Sequence, residues 1–570
     1  MRDQEVKRDS TSREEKGKVW VIGLDGASFE LIKPWTQDGE LPTFARLMRE
    51  GAHGVLRSPV PQSPPAWASF MTGCNPGKHG IYDWVQPRRG SYEVDLTCGA
   101  MCRSQTLWRI LSERGRTVGV VNVPMTYPPE EVNGFLISGF DTPYGSTEFT
   151  YPRDLYEELK RHFGHYIILP IIVDVPLRQT VQNFYETIEQ REQVMHFLLE
   201  RYHPEFFMLV FNATDSLQHL CLQSYSDNGR NAAQLEVLRS IYKRLDIILA
   251  SLLERLPGDA IMLVVSDHGT GPLRGYVHLD HWLAQQGWLR YASDNPALTV
   301  QRWQARLIQG AVTALKAAVP EIVKAGLRTR MGNLRTRLEE AATPLLLDWA
   351  HTQAYTCSSQ GIYINLKGRQ PQGTVEPGEE YEALRERIAQ ALLALLDPDD
   401  GRPIVARVYK KEEMFIGPYL DVAPDLYVHW QEDAYLAWNN SKQPRSVLFV
   451  RPRALEMDDI VPDENSGTRV GCHRQEGILL MYGDKVRPGS RIEGAQIVDL
   501  APTILALMGE PVPAEVDGRV LTEALEETYL RAFPARRVAG GGGRGQGEEF
   551  IYSDEESELI KERLRELGYL

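Results

Sequence analysis

Five short runs of apolar residues alternate along this chain with segments of helical pattern. The runs end abruptly at polar or glycine residues and read KVWVIGLDG, TVGVVNVP, FFMLVFNATD, AIMLVVSDHG and EGILLMYGD. Unbroken apolar runs of this length are typical of strands covered on both faces, as in a mostly parallel sheet. Between them, ELPTFARLMREG, DLYEELKRHFG and NAAQLEVLRSIYKRLDIILASLLERL carry apolar residues at helical spacing. The pattern therefore predicts an α/β core.

A long insertion is expected to interrupt this core. Residues from about 296 to 345 are rich in Leu, Ala, Arg and Lys at helical spacing, and SSQGIYINLKG, EEYEALRERIAQALLALL and APDLYVHW follow. The basic stretch is expected to be a solvated helix face, and contact with a membrane surface is the alternative. We expect a disordered arm (1–17), a core in two parts (18–285 and 465–530), an inserted α/β cap (286–464), a Gly-rich linker (531–552) and a C-terminal helix (553–570).

The C-terminal pattern predicts a helix that docks on the core. Ser553 and Glu556 have the spacing of a capping box, in which each side chain bonds the backbone of the other residue. An apolar stripe follows, and Gly568 ends the pattern. The stripe consists of Leu559, Ile560, Leu564 and Leu567.

Composition and charge narrow the classes of function. The 570 residues are 42% hydrophobic and 25% charged, which is ordinary for a globular protein. A net charge of -14 works against nucleic acid or an anionic membrane as a partner. The charged start, MRDQEVKRDSTSREEKGK, lacks the apolar centre of a secretory signal, and no apolar run is long enough to span a bilayer. The scattered cysteines fit a reducing compartment, so we expect a cytoplasmic protein.

Aspartates follow the predicted strands at the sheet edge where open α/β folds bind ligands. These residues are Asp25, Asp215 and Asp267. A single aspartate there is more often a helix cap. Two of the three, however, each have a histidine close behind them in the sequence. His219 lies one helical turn after Asp215, and His268 directly follows Asp267. Carboxylate and imidazole together suit zinc or manganese, and His473 supplies a further imidazole.

A serine with the properties of a nucleophile lies in SPVPQSPPAWASFMTGCNPGKHGIYDW. Ser63 precedes Pro64 and Pro65, a pattern that predicts Ser63 as the cap of a helix. At that helix end a developing alkoxide and a phosphoryl group would be stabilised. Coordination of the hydroxyl by a metal would lower its pKa further. A plain cap without catalytic function is the alternative.

Several motifs together resemble one known superfamily. They are DG after the first strand, S-x-P-x-W followed by TG-x-NP-x-KHGI, D-x-x-x-H, SDHG and a late G-x-H. In order and spacing the chain is similar to the alkaline phosphatase superfamily, in particular to the type I phosphodiesterase and nucleotide pyrophosphatase branch and its prokaryotic phosphohydrolase or phosphomutase relatives. The resemblance covers about residues 18–285 and 465–525. It implies a three-layer core around a mostly parallel sheet, with the insertion as a cap.

The resemblance also implies a site with two divalent ions, zinc or manganese. One ion would be held by Asp25, Ser63, Asp267 and His268, and the other by Asp215, His219 and His473. The ions would lie roughly 4 Å apart and clamp the attacking and leaving oxygens of an in-line displacement. Ser63 would form a phosphoserine, which water then hydrolyses. The substrate would be a small-molecule phosphate mono- or diester.

Departures from the family pattern limit the substrate. Trp67 stands at the position where sulfatases carry an arginine, which disfavours sulfate esters as substrates. Trp84 stands near the position at which nucleotide pyrophosphatases carry a phosphate-binding asparagine. Candidate substrate ligands near the motifs are Lys78, His79, Trp84, Arg469 and Arg474. Phosphotransfer, as in cofactor-independent phosphoglycerate mutases, is the second enzymatic interpretation. A non-catalytic binding protein is the third, which the intact ligand set disfavours.

Overall fold

The computed structural model describes most of the predicted core and part of the predicted cap. The described residues are 17–222, 232–295, 346–357, 360–438, 444–462, 467–532, 534–539 and 552–567. The predicted arm lies outside them except for residue 17, as do most of the predicted linker and the basic stretch at 296–345. The predicted domain boundaries therefore stay a prediction.

Strands and helices alternate through the first half of the chain. The strands there are β1 (Lys18–Leu24), β2 (Ala52–Arg57), β3 (Val85–Pro87), β4 (Val94–Leu96), β5 (Val118–Val123), β6 (Gly134–Ser138), β7 (Thr150–Tyr151), β8 (Phe206–Phe211), β9 (Ala260–Val265), β10 (Gly269–Pro272) and β11 (Gly275–Val277). The helices are α1 (Phe29–Gln37), α2 (Pro42–Glu50), α3 (Ser63–Thr72), α4 (Pro76–His79), α5 (Leu107–Glu113), α6 (Leu155–Phe163), α7 (Leu177–Tyr202), α8 (Ala213–Cys221), α9 (Ala232–Arg255) and α10 (Leu279–Gln285).

The second half contains shorter strands and fewer described helices. The strands are β12 (Ala354–Tyr355), β13 (Gly361–Ile364), β14 (Val405–Lys410), β15 (Leu426–Trp430), β16 (Tyr435–Ala437), β17 (Phe449–Val450), β18 (Gly471–Arg474), β19 (Glu476–Tyr482), β20 (Arg491–Gln496), β21 (Val512–Pro513) and β22 (Arg537–Val538). The helices are α11 (Glu379–Leu393), α12 (Lys411–Met414), α13 (Leu500–Leu507), α14 (Glu527–Ala532) and α15 (Asp554–Leu567).

A nine-stranded sheet forms the centre of the molecule, in the order β20-β2-β19-β9-β1-β8-β5-β6-β7. Strands β9, β1, β8, β5 and β6 are mutually parallel, whereas β19 runs antiparallel to both of its neighbours and β7 is antiparallel at the edge. All five runs predicted as strands lie in this sheet. The expected α/β class with a mostly parallel sheet is confirmed.

Register at the centre of the sheet aligns the strand ends that lead to the predicted site. Leu24 of β1 pairs with Phe211 of β8, and Gly23 pairs with Val265 of β9. The carboxyl ends of three neighbouring parallel strands therefore meet at one edge. The segments carrying Asp25, Asp215 and Asp267 leave the sheet there, as the strand pattern predicted.

The two strands at one side of the sheet and one long helix have weaker sequence signals. In β2 and β20 buried positions are mixed with exposed ones, so neither contains the unbroken apolar run by which the central strands were predicted. Helix α7 spans 26 residues and buries a stripe that includes Val181, Phe184 and Ile188, while its other faces are polar. These elements are stabilised by the neighbours they cover, which the local sequence does not identify.

A second hydrophobic core lies mostly within the predicted insertion and also includes Leu279 and Leu283 of α10, which precede it. It packs the antiparallel sheet β12-β13-β15-β14 against α11 through residues such as Ile362, Leu384, Ile388 and Leu426. A separate three-stranded sheet, β16-β11-β17, joins this region to the segment after β10. Within the described residues, none of the helices combines the length and apolar composition needed to cross a bilayer.

Helix α15 packs on the core beside β6. The predicted reciprocal cap is present, since the Ser553 N–H donates to Glu556 (2.9 Å) and the Glu556 N–H donates to the Ser553 hydroxyl (3.2 Å). Ile560 and Leu564 are fully buried, and the buried Tyr552 donates its hydroxyl to the Asp141 carbonyl at 3.1 Å.

Deleting the chain after Gly540 is expected to cost stability without removing the chemistry. Without the helix, the apolar surface of the core that Ile560 and Leu564 cover would be exposed to water. This exposure should lower the free energy of unfolding by at least about 3 kcal/mol. The candidate metal ligands lie elsewhere, so turnover per folded molecule should stay within about twofold of the full chain. Urea denaturation and steady-state kinetics on both chains measure the two effects. A truncated chain of native stability that has lost turnover would contradict this.

Candidate metal centre

The ends of β1, β8 and β9 place three carboxylates at one edge of the sheet. Asp25 directly follows β1, Asp267 lies just beyond β9, and Asp215 lies in the first turn of α8. All three side chains are buried, with at most 1% exposed. The parallel strands bring together residues that are far apart in sequence.

A first group of side chains surrounds the His268 ring. Its Nε2 lies 3.3 Å from Asp267 Oδ2, 3.6 Å from Asp25 Oδ1 and 3.4 Å from the Ser63 hydroxyl. These are the four residues that the family resemblance assigned to one ion. The structure brings all of them together.

A second group surrounds Asp215. His219 Nε2 lies 3.1 Å and His473 Nε2 lies 3.4 Å from Asp215 Oδ1, and the two nitrogens are 3.0 Å apart. The shared helix face predicted for Asp215 and His219 is present in α8. The groups adjoin, because the rings of His268 and His473 stack with centroids 3.7 Å apart.

Backbone carbonyl groups fix the tautomer of each histidine in these groups. The Nδ1 atoms contact the carbonyl oxygens of Gly471 (from His219, 2.8 Å), Gly269 (from His268, 3.0 Å) and Pro61 (from His473, 2.7 Å). A carbonyl oxygen only accepts, so each Nδ1 carries the proton and each Nε2 has a lone pair. All three Nε2 atoms face the carboxylates. Metal-binding histidines are oriented in this way.

The electrostatics of the pocket favour cations. Both Asp25 oxygens and Asp267 Oδ2 are buried without a hydrogen bond of good geometry among the described residues. Burial, followed by the charges of Asp267 and Asp215, raises the pKa of Asp25 well above its ordinary value. Burial also lowers the pKa of each of the three imidazoles, which keeps them neutral. Clustered carboxylates with neutral imidazoles are a suitable ligand set for divalent ions.

Ser63 is the first residue of α3 rather than its cap. The capping position is taken by Gln62, because the Ala66 N–H bonds to the Gln62 carbonyl at 3.0 Å. Pro64 and Pro65 have no N–H, so the Ser63 N–H is what this helix end offers to an anion. The prediction of Ser63 as the cap was wrong by one residue, but Ser63 still lies at the N-terminal end of the helix.

Small and polar residues around Gly26 support the ligands, and local sequence signals did not identify them. The Thr214 hydroxyl donates to the Asp25 carbonyl (2.6 Å), while Gln218 and Thr270 donate to the Gly26 carbonyl (both 2.9 Å). Gly26 has a φ of +67°, and a Cβ there would lie 2.8 Å from Asp215 Oδ1. The DG pair after β1 was the available signal. Glycine is needed here for both its conformation and its size.

Replacing Gly26 by alanine is expected to damage the site more than the fold. The added methyl group would lie 2.7 Å from the Thr270 hydroxyl as well as against Asp215, so metal affinity should fall at least about tenfold. Gly39→Ala is the matched control, since Gly39 also has a positive φ (+77°) but nothing within 4 Å of the new atom. Titrating the metal-free proteins with zinc compares the two variants. Equal affinities would contradict the expectation.

The predicted substrate ligands are engaged with other parts of the protein. Lys78 pairs with Asp517, and both ring nitrogens of His79 are used, by the Ser69 hydroxyl (3.1 Å) and the Ile81 N–H (3.2 Å). Trp84 is buried against Phe140. None of these contacts points to a substrate role.

Arg474 is held at the junction with the inserted region. Its guanidinium donates to the Pro272 carbonyl at 2.7 Å and to the Asp433 carbonyl. The Gln475 N–H next to it donates to the Asp433 carboxylate at 3.1 Å. Arg474 therefore links the strand carrying His473 to the inserted region.

The fold and the convergent Asp/His groups define an alkaline-phosphatase-like hydrolase core. Within this class the chain belongs to the type I phosphodiesterase / nucleotide pyrophosphatase family, whose sequence profile matches residues 19–452. Members of this family are phosphoester hydrolases.

One solved structure shares the fold at low sequence identity, and a second is similar to a lesser extent. Phosphonoacetate hydrolase from Sinorhizobium meliloti 1021, solved with phosphonoformate, is 14% identical with a TM-score of 0.52 over 86% of this chain and 96% of that one. Human ectonucleotide pyrophosphatase / phosphodiesterase 5 is 13% identical with a TM-score of 0.46 over 90% of this chain and 99% of that one.

Curated relatives match over a short segment. The 2,3-bisphosphoglycerate-independent phosphoglycerate mutase of Shewanella denitrificans is 39% identical over 64 residues, which is 11% of this chain and 12% of the mutase. The mutase of Ectopseudomonas mendocina is 41% identical over 61 residues, with the same shares. The chain thus spans about an eighth of the length of these relatives.

Proposed function

We propose that this chain is a two-metal phosphohydrolase that cleaves a small-molecule phosphate mono- or diester through a phosphoserine at Ser63. The proposal rests mainly on one observation, the buried Asp/His groups on either side of the His268–His473 ring stack with the Ser63 hydroxyl 3.4 Å from His268 Nε2. One ion would be held by Asp25, Ser63, Asp267 and His268, and the other by Asp215, His219 and His473. Zinc or manganese suits these ligands.

Two divalent ions at these groups would neutralise the oxygens of the displacement and lower the pKa of the bound hydroxyl and water. The chain itself contributes orientation. The start of α3 holds the Ser63 hydroxyl beside His268, and the backbone carbonyls hold each Nε2 toward the carboxylates. Burial excludes bulk water, which strengthens the electrostatic interactions with a transferring phosphoryl group.

Three other features of the chain support the proposed reaction class, compartment and kind of substrate. Trp67 replaces the arginine of the sulfatase pattern and is fully buried, so phosphate rather than sulfate esters are the substrates. All six cysteines, each within the described residues, are free of disulfides, which agrees with a cytoplasmic location. The net charge of -14 agrees with a small-molecule substrate rather than a nucleic acid.

A substrate and metal screen tests this proposal. The purified chain is freed of metal, reloaded with Zn²⁺ or Mn²⁺, and assayed on an aryl phosphate diester, an aryl phosphate monoester and an aryl sulfate. We expect metal-dependent turnover of a phosphate ester and about background rates on the sulfate. Phosphate ester turnover that is unaffected by complete metal removal would overturn the two-metal proposal.

Phosphotransfer is a second candidate, favoured by the short matches to phosphoglycerate mutases. In this reaction the phosphoserine would pass its group to a substrate hydroxyl instead of to water. Incubation with 3-phosphoglycerate separates the candidates, because a mutase forms 2-phosphoglycerate whereas a hydrolase releases inorganic phosphate. Isomer formation faster than phosphate release would favour the mutase.

A further inference from the structure

We infer that His278, Asp280 and His281 form an additional zinc site at the junction between the sheet β16-β11-β17 and the second core. Each offers a ligand atom within 4.8 Å of the others. The cluster lies directly after β11 and is separate from the Asp/His groups of the proposed active site. Two imidazoles and a carboxylate match the ligand chemistry of a zinc site with one position left for water.

The imidazole of His278 is buried and makes no well-formed hydrogen bond within the described residues. Its side chain is fully buried, and apart from a loose contact with the Trp438 backbone, neither ring nitrogen has a hydrogen-bond partner among the described residues. The ring stacks on Trp438 at 5.3 Å and on His281 at 4.6 Å. Burial lowers the pKa of His278, so the ring is neutral. Burying an imidazole in this way costs free energy that a metal bond would offset.

His281 is oriented as a metal ligand. Its Nδ1 lies 3.0 Å from the Val447 carbonyl oxygen, which requires the proton on Nδ1 and leaves a lone pair on Nε2. This Nε2 lies 3.9 Å from Asp280 Oδ2. The three histidines of the proposed active site are held by carbonyl groups in the same way.

Asp280 completes the cluster. The Tyr291 hydroxyl donates to its Oδ2 at 3.1 Å and fixes the carboxylate, while Oδ1 is buried without a partner among the described residues. The backbone of the cluster is already tied to a distant segment, because the His278 N–H donates to the Leu448 carbonyl at 2.9 Å. An ion held here would bind the ligands only as the folded chain arranges them and would therefore raise the stability of the folded state.

Counting zinc ions in matched variants tests this site. Wild type, Asp280→Asn and His281→Gln are stripped with a chelator, reloaded with Zn²⁺, dialysed and measured for zinc per folded chain by mass spectrometry. Each variant should hold one ion fewer than the wild type. His351→Gln is the matched control. Like His281, His351 lies close to an aspartate (2.8 Å to Asp348), but its side chain is exposed, so this variant should lose no zinc ion.

A second measurement separates this inference from the proposed function. In an Asp25→Asn/Asp215→Asn background, which removes one carboxylate ligand from each of the two proposed ion positions of the active site, Zn²⁺ should still raise the midpoint of thermal unfolding, and adding Asp280→Asn should abolish that rise. Circular dichroism verifies folding, and Asp280→Asn keeps an oxygen that can accept the Tyr291 hydrogen bond. Zinc counts equal to wild type in either variant, or a midpoint rise that survives Asp280→Asn, would overturn the site whether or not Ser63 is a nucleophile.

Discussion

Ser63→Ala should reduce turnover by roughly a thousandfold or more, because the phosphoserine route loses its attacking oxygen. Metal content should stay near that of the wild type. Asp25, Asp267 and His268 remain around the same point, and the removed hydroxyl is 3.4 Å from His268 Nε2. Steady-state kinetics on an aryl phosphate ester and metal analysis of the same sample give the two results.

Ser69→Ala is the matched control for this prediction. Ser69 lies in the same helix and is also buried, but its hydroxyl contacts His79 rather than the proposed ligands. Its loss should cost about 1 kcal/mol of stability and leave the rate per folded molecule nearly unchanged. If Ser63→Ala keeps more than a tenth of the wild-type rate, another group must be the nucleophile.

Asp25→Asn should abolish metal-dependent turnover and yet stabilise the metal-free protein at neutral pH. Burial and the neighbouring Asp267 and Asp215 raise the pKa of Asp25 in the folded state. When the pKa of a carboxyl group is higher in the folded than in the unfolded state, the folded protein prefers the protonated form. The resulting stability is fully present below the unfolded-state pKa and is lost as pH rises through the folded-state pKa. The loss is about 1.4 kcal/mol for each pH unit by which the folded pKa exceeds the unfolded one. Asparagine is uncharged at every pH and removes this loss.

Thermal unfolding in excess chelator, measured from pH 4 to pH 8, tests the second prediction. The metal-free wild type should lose stability relative to Asp25→Asn as pH rises, and the difference should be smallest at the acidic end. Asp38→Asn is the control, because Asp38 is exposed at the end of α1. Divalent ions should reverse the order at neutral pH by stabilising the wild type more than Asp25→Asn. Parallel stability curves for Asp25→Asn and wild type would contradict the proposed cation site.

Much of the candidate site was predictable because its residues follow strong strand signals. The apolar runs before Asp25, Asp215 and Asp267 are long enough to require burial on both faces, and parallel strands end at a common edge. The four-residue spacing of Asp215 and His219 fixed their shared helix face once α8 formed. Residue roles remain proposals, whereas the convergence itself is present in the structure.

Other features could not be predicted, because they depend on backbone atoms, which are the same in every residue, or on partners from distant parts of the chain. The carbonyl oxygens of Gly471, Gly269 and Pro61 set the histidine tautomers, and a carbonyl is present at every residue. The helix start at Ser63 was misplaced by one residue, since helix boundaries depend on backbone geometry around Gln62. Lys78 and Arg474 were candidates by proximity in sequence, but their partners Asp517 and Asp433 come from distant segments.

By itself, the sequence determined the α/β class, the order of the central strands along the chain and the residue types available to bind cations. Local apolar patterns suffice for this, because burial and hydrogen bonding of each strand depend on its own residues. The tertiary structure alone decided three features: the addition of β2 and β20 to one side of the sheet, the joining of the two ligand groups through the His268–His473 ring stack, and the burial of His278 with no well-formed hydrogen bond to its ring among the described residues. These features arise from contacts between segments up to several hundred residues apart, whose distances are set by the packing of the whole chain.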